Sequence, residues 1–283
     1  MEIGEPITTP TVHTEPEIEC PFCPVEKDQT NFVTYPGVKN NSKKLANIMI
    51  TPSKLVSEQP NARPQNGDNE RQNPVSPKPQ PAPIYHDNEF GDYSCQAHHA
   101  ISGNQALKGH DIEQWICKSK GKITKDTGYS VNNGNNGIWL PSKPKGLIDG
   151  KKWGELTYDK KKEVAFKSMD AGKGQFHLGP HDIVDPEDPD GRYHQSYKDR
   201  LIALLDALND NVIAWVEGCQ LCEDIDPDKG PFKPNWKINS KLDRVSAKVE
   251  RDLLANPRRW KYFISKLALD YHKPICPHKT LTL

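Results

Sequence analysis

Apolar positions recur at helical spacing most clearly from Tyr197 onward. Tyr197, Leu201, Leu204, Leu205, Leu208, Val212 and Trp215 fall three or four residues apart. That spacing puts them on one face and predicts a core-facing helix. Five shorter helices follow from weaker patterns. Leu45, Ile48 and Met49 share a face over Ser42–Ile50, with Pro52 as a stop. Asp111 is placed to cap a helix through Ile112, Trp115 and Ile116 that ends near Gly121. Glu155 to Met169 shows a face of Leu156, Val164, Ala165 and Phe166. Ser240 to Asp243 can cap a helix carrying Leu242, Val245, Val249 and Leu253. After the Asn256-Pro257 break, Trp260, Ile264, Leu267 and Tyr271 predict a last helix. Strand signals are fewer. Asp92 to Cys95 alternates, and Tyr129–Pro141 reads as β-prone flanks around Asn-Gly steps, which predicts a hairpin turn. The expected class is α+β, and there is no internal repeat.

One stretch breaks the pattern. Residues 57–83 are Pro, Gln, Asn, Ser and charged residues, including Pro74-Val75-Ser76-Pro77-Lys78-Pro79-Gln80-Pro81. Such a composition cannot build a core and reads as a partly polyproline linker. The expected organisation is a small cysteine-containing segment (1–56), the linker (57–83), a main domain (84–217) and a C-terminal extension (218–283). The N-terminus lacks a basic segment followed by an apolar one, and no apolar run reaches bilayer length. The expectation is synthesis in the cytosol, no membrane partner, and any export by a route without a signal peptide.

Charge is zero in total but unevenly spread. Cys95–Lys173 holds 14 lysines against 8 acidic residues, and His181–Asp228 holds 3 basic against 13 acidic. The basic segment suits a polyanion. Its Lys118, Lys120, Lys122, Lys143 and Lys145 are candidate nucleic-acid contacts.

Seven cysteines cannot all pair within one chain. Cys20-Pro-Phe-Cys23 and Cys219-Gln-Leu-Cys222 have metal-ligand spacing, and a structural zinc on all four is one reading. Cys276-Pro277-His278 could substitute for one pair. Cys95, Cys117 and Cys276 are otherwise expected as buried free thiols.

The concentration of chemistry is in the histidines. In an extended segment, His98 and His99 point to opposite faces, so one could hold a metal while the other faces a substrate. Asn136 stands before Gly137-Ile138-Trp139-Leu140-Pro141, and His177 and His181 follow the lysine-rich stretch. Ala97-His98-His99, Asn136-Gly-Ile-Trp-Leu-Pro and His177-x-Gly-x-His181, in this order over roughly Cys95–Leu208, resemble the AHH family of the HNH nuclease superfamily. The resemblance implies a ββα-metal core of a β-hairpin and a helix around one divalent ion, with extra helices here.

It also implies roles. His99 would be the general base, and His98, His177 and His181 would hold zinc, nickel, manganese or magnesium. Asn136 would orient His99 or brace the hairpin. The acidic insertion Asp182–Arg192 departs from the family pattern and makes His194 an alternative ligand. The family implies DNA as substrate, a toxin role such as a type VI secretion effector, an immunity protein, a secretion or adaptor partner, and delivery into a target-cell cytoplasm. Two rival readings stay open: an RNA-specific nuclease, and a zinc-organised adaptor whose metal sites are all closed. The phosphate-binding motif Gly-x-x-x-x-Gly-Lys-Ser/Thr, Gly-x-Ser-x-Gly and His-Glu-x-x-His are absent from the chain.

Overall fold

The computed structural model describes residues 40–50, 78–81, 85–179, 181–217, 231, 232, 234 and 237–276. Its elements in chain order are α1 (Ser42–Met49), β1 (Tyr85–Asp87), β2 (Gly91–Tyr93), β3 (Cys95–His99), β4 (Gly137–Pro141), α2 (Tyr158–Gly172), β5 (Gln195–Ser196), α3 (Tyr197–Glu217), α4 (Lys237–Leu253), β6 (Tyr262–Phe263) and α5 (Lys266–His272). Helices and small sheets make an α+β fold. Cys20, Cys23, Cys219, Cys222 and His278 lie outside the described residues, as does most of the 57–83 stretch. No described helix is long and apolar enough to cross a membrane.

Among the described residues the sheets are three two-stranded pairs. β3 and β4 pair antiparallel, with Cys95 opposite Pro141, His98 opposite Ile138 and His99 opposite Gly137. This corrects the expected local hairpin. The Asn-Gly segment does turn, with the Asn133 carboxamide oxygen accepting from the Asn136 N–H at 3.0 Å. Yet the strand after it pairs with β3, which lies before the whole Ala100–Asn136 excursion. Asn136 closes that excursion. Its amide donates to Val131 O (2.7 Å) and Ile101 O (2.9 Å), and its oxygen accepts from Ile101 N (2.7 Å) and Ser246 Oγ (2.8 Å).

α1 lies across this strand pair. Leu45 and Met49 pack with Ala97 and against Trp139. The approach is close: a Cβ at Gly137 would overlap the Met49 thioether. Asn41 caps α1 through its side-chain oxygen and the Lys44 N–H, 2.9 Å apart.

The largest core cluster joins α3 to the excursion and to α4. Tyr197, Leu201, Leu205, Leu208, Val212 and Val216 pack with Ile101, Leu107, Ile112, Leu242, Val249 and Leu253. Leu204 and Trp215 are half-buried at its margin. A second cluster packs Ala165 and Met169 of α2 and Phe176 with Phe263 and Leu267. The C-terminal part therefore shares the core of the main domain and is not a separate extension.

Three helix expectations need adjusting. The Asp111–Trp115 segment is a 3-10 helix, capped by His110, whose Nδ1 accepts from Ile112 N at 3.1 Å. α4 begins at Lys237, ahead of Ser240. Trp260–Ile264 is not helical: Tyr262 and Phe263 pair in parallel with Gln195 and Ser196, and helix resumes only after Ser265 caps α5.

Candidate active site

β3 carries His98 and His99 into a cleft of about 220 Å³. The opposite wall is the loop after α2, with His177 and His181. That loop is anchored at both ends by backbone. His177 N donates to Pro141 O at 2.7 Å, which ties it to the end of β4. The His181 carbonyl accepts from Lys198 N at 3.2 Å, which ties it to the first turn of α3. His177 and His181 thus sit ahead of α3 on loop backbone, not at regular spacing on a helix.

Three imidazoles converge. The His98 ring lies 4.8 Å from that of His177 and 5.2 Å from that of His181, and the latter two stack at 5.7 Å. One ligand atom from each of the three falls within 4.8 Å of the others. His98 Nε2 and His177 Nδ1 are buried and have no hydrogen-bond partner among the described residues. Unpaired buried nitrogens cost roughly 1–3 kcal/mol each, so a bound cation would remove a real penalty. His181 Nδ1 is 2.6 Å from the Ile264 carbonyl. A carbonyl only accepts, so His181 carries its proton on Nδ1 and offers Nε2 to the cleft. Tyr197, the first residue of α3, backs the cluster with its ring 5.2 Å from His98. Its hydroxyl donates toward the His99 and Ala100 carbonyls, at 2.8 and 2.5 Å.

Burial holds these rings neutral. It drives His98 well below the ordinary imidazole value, helped by repulsion from His177, His181 and His99. Burial, with His181 and His99 adding to it, brings His177 to about 3. His181 is also lowered by burial, against the opposing Ile264 carbonyl and Asp182. Neutral imidazoles present lone pairs, the form that binds metal. Three nitrogen donors on a cleft wall fit a divalent ion with open positions, zinc, nickel and manganese among them.

His99 is turned away from this cluster. Its Nε2 is 2.8 Å from the Asn132 carboxamide oxygen, which also accepts from Asn41 N at 2.8 Å. The N–H of Asn41 identifies that atom as oxygen, so His99 donates from Nε2 and keeps its lone pair on Nδ1. Burial lowers the His99 pKa, and the bond to Asn132 opposes that shift. Asn132, expected as a turn residue, is thus the side chain that holds His99. The Asn136 side chain places its hydrogen bonds on Ile101, Val131 and Ser246, not on His99, and so braces the excursion.

Other predicted residues fall elsewhere. His194 is not in the cleft. Its Nδ1 meets Asp185 at 2.6 Å and it groups with His272 and Cys276, which corrects its place as an alternative ligand beside His98. Lys118, Lys120 and Lys145 are exposed and Lys122 and Lys143 half-buried, and none is among the residues lining the cleft. Lys120 is paired to Glu113 at 3.0 Å. Cys95, Cys117 and Cys276 are buried free thiols. Asn40, Ser42, Ser102, Asn104 and Gln105 complete the lining and were not anticipated. Asn40 and Ser42 come from the far side of the proline-rich stretch, where no local pattern marks them.

No curated protein and no solved structure matches the chain. Residues 86–213 match a family model described as AHH, a nuclease family of the HNH/ENDO VII superfamily with conserved AHH. The Ala97-His98-His99 run on β3, the β4 strand beside it and the His177–His181 loop all lie within that match, so the part of the chain that carries the cleft is similar to the AHH nuclease family.

Proposed function

We propose that the cleft is a metal-dependent endonuclease site cutting DNA phosphodiester bonds, with the β3–β4 pair, the His177–His181 loop and α3 as its ββα-metal unit. One observation carries this reading. Three histidines with unpartnered or correctly protonated ring nitrogens line an open cleft, and a fourth, His99, stands beside them with a separately held lone pair. A non-catalytic zinc site would be closed by four ligands.

Hydrolysis needs a water deprotonated in line with the leaving oxygen. His99 Nδ1 accepts that proton, and Asn132 keeps the tautomer that makes it possible. His98, His177 and His181 would hold the ion, which when bound would supply positive charge to the phosphate oxygens. Asn40, Ser42, Asn104 and Gln105 provide neutral donors for a phosphate, and the first turn of α1 opens on the same cleft at Ser42. The exposed lysines of the 118–145 stretch hold the flanking backbone.

Plasmid nicking by the purified chain tests this. Cleavage is expected to stop with a chelator. His99→Ala is expected to lose about a hundred- to ten-thousand-fold in rate while still binding metal, and His98→Ala is expected to lose both metal and cleavage. Cleavage that survives chelation and both substitutions would sink the assignment. Cleavage of RNA alone would move the substrate to RNA. The family resemblance also supports an antibacterial toxin with an immunity partner. Cytoplasmic expression in a bacterium should arrest growth for the parent chain and not for His99→Ala.

A further inference from the structure

A second cluster of ligand-type side chains lies outside the cleft. His194 enters it from the loop before β5, His272 from the end of α5, and Cys276 from just beyond. One ligand atom from each falls within 4.8 Å of the other two. Cys276 Sγ is 3.5 Å from His194 Nε2. With Zn–S about 2.3 Å and Zn–N about 2.0–2.1 Å, a tetrahedral angle puts sulfur and nitrogen roughly 3.6 Å apart.

The partners behind these rings matter as much as the distance. His194 Nδ1 donates to Asp185 Oδ2 at 2.6 Å, so Nε2 faces the thiol. Asp185 has no exposed side chain, and its other oxygen is held by Lys273 Nζ at 2.7 Å. His272 Nδ1 donates to the Pro257 carbonyl at 2.7 Å, so Nε2 is the atom that would coordinate. A carboxylate behind one imidazole and a carbonyl behind the other is the outer arrangement that orients zinc-binding histidines. The Asp188 carboxylate accepts from the backbone of Arg192, Tyr193 and His194, at 3.1, 2.7 and 2.7 Å, and holds the loop in the required turn.

We propose that His194, His272 and Cys276 are three of the four ligands of a structural zinc ion, distinct from the metal of the cleft. Binding releases the Cys276 thiol proton and leaves two neutral imidazoles and a thiolate. The ion would join the acidic insertion, which follows His181, to the C-terminal helix. This gives the Asp182–Arg192 insertion a purpose: it supplies the carboxylate that aims His194. A cysteine–histidine pair used only for proton exchange would have no need of His272.

The test uses the full chain loaded with cadmium-113. Proton–cadmium correlation should show one cadmium signal coupled to the β-protons of Cys276 alone among cysteines and to the rings of His194 and His272. The cleft cadmium should couple to histidines only. Zinc content of Cys276→Ser should fall by one equivalent while chelator-sensitive nicking by the same variant persists. Cadmium coupled to no proton of Cys276 in the parent chain would overturn the proposal, even if the variant fails to fold. Loss of nicking in His99→Ala bears on the cleft and leaves this result untouched.

Discussion

Asn132 and Asn136 are four residues apart in one turn, and the structure gives them different work. Asn132 accepts from His99 Nε2, so its loss frees the ring to rotate or change tautomer. Asn132→Ala is expected to cost about 10- to 100-fold in cleavage rate, the usual scale for a group that orients a ligand or base, with a smaller drop in melting temperature than Asn136→Ala. Asn136 is fully buried and makes four hydrogen bonds with chain segments on both sides of it. Asn136→Ala strands several of those groups at roughly 1–3 kcal/mol each, so unfolding at a clearly lower temperature is expected. Parallel thermal melts and rate measurements on the two variants would separate these roles. Equal melting temperatures would show that the bracing argument is wrong. His98, His177 and His181 were visible in the sequence as ligand-type residues, because imidazoles in an ordered set are rare. Asn132 was not, because asparagine beside glycine is as common in turns as in sites.

At the level of elements, Gly137 shows how one signal can have two causes. In the sequence an Asn-Gly step reads as a tight turn. In the fold Gly137 has an ordinary extended φ of −97° and already belongs to β4. Glycine is needed there because α1 crosses β4 with Met49 against its Cα. Gly137→Ala should destabilise the protein by about 1–3 kcal/mol, the scale of overpacking a filled core. Adding Met49→Ala should recover part of that loss, since it makes room for the methyl group. Denaturant titration of the single and double variants checks this, and strictly additive costs would argue against the contact. The long helix from Tyr197 was legible because its stripe has one period over five turns. The Trp260–Ile264 segment was misread because a short apolar run fits a helix or a strand equally. Its pairing with β5, far back in the chain, decided the matter.

For the whole molecule, the packing contradicts a boundary after residue 217. Leu242, Val249 and Leu253 of α4 fill the same cluster as Leu201, Leu205 and Val212 of α3, and Ser246 bonds Asn136. A fragment of residues 84–217 would expose this surface and lose α1 as well. Each large apolar side chain left in water forfeits roughly 1.5–3 kcal/mol, and a domain has only about 5–15 kcal/mol to lose. The fragment is expected to lack cooperative unfolding and to bind a dye for exposed apolar surface. A sharp calorimetric transition in it would restore the boundary.

What the chain determined by itself were the features with a local physical cause. Helical periodicity marked α3 and the faces of α1 and α4. Residue chemistry marked the four cleft histidines and the family whose model residues 86–213 match. What only the tertiary structure decided were the meetings between distant segments. The β3 strand found β4 across a long excursion, Asn40 and Ser42 reached the cleft from beyond the proline-rich stretch, and His194 joined His272 and Cys276 instead of His98. A period or a motif is written into neighbouring residues. A contact between residues far apart in the chain depends on how all the faces pack, and no single stretch of sequence contains that information.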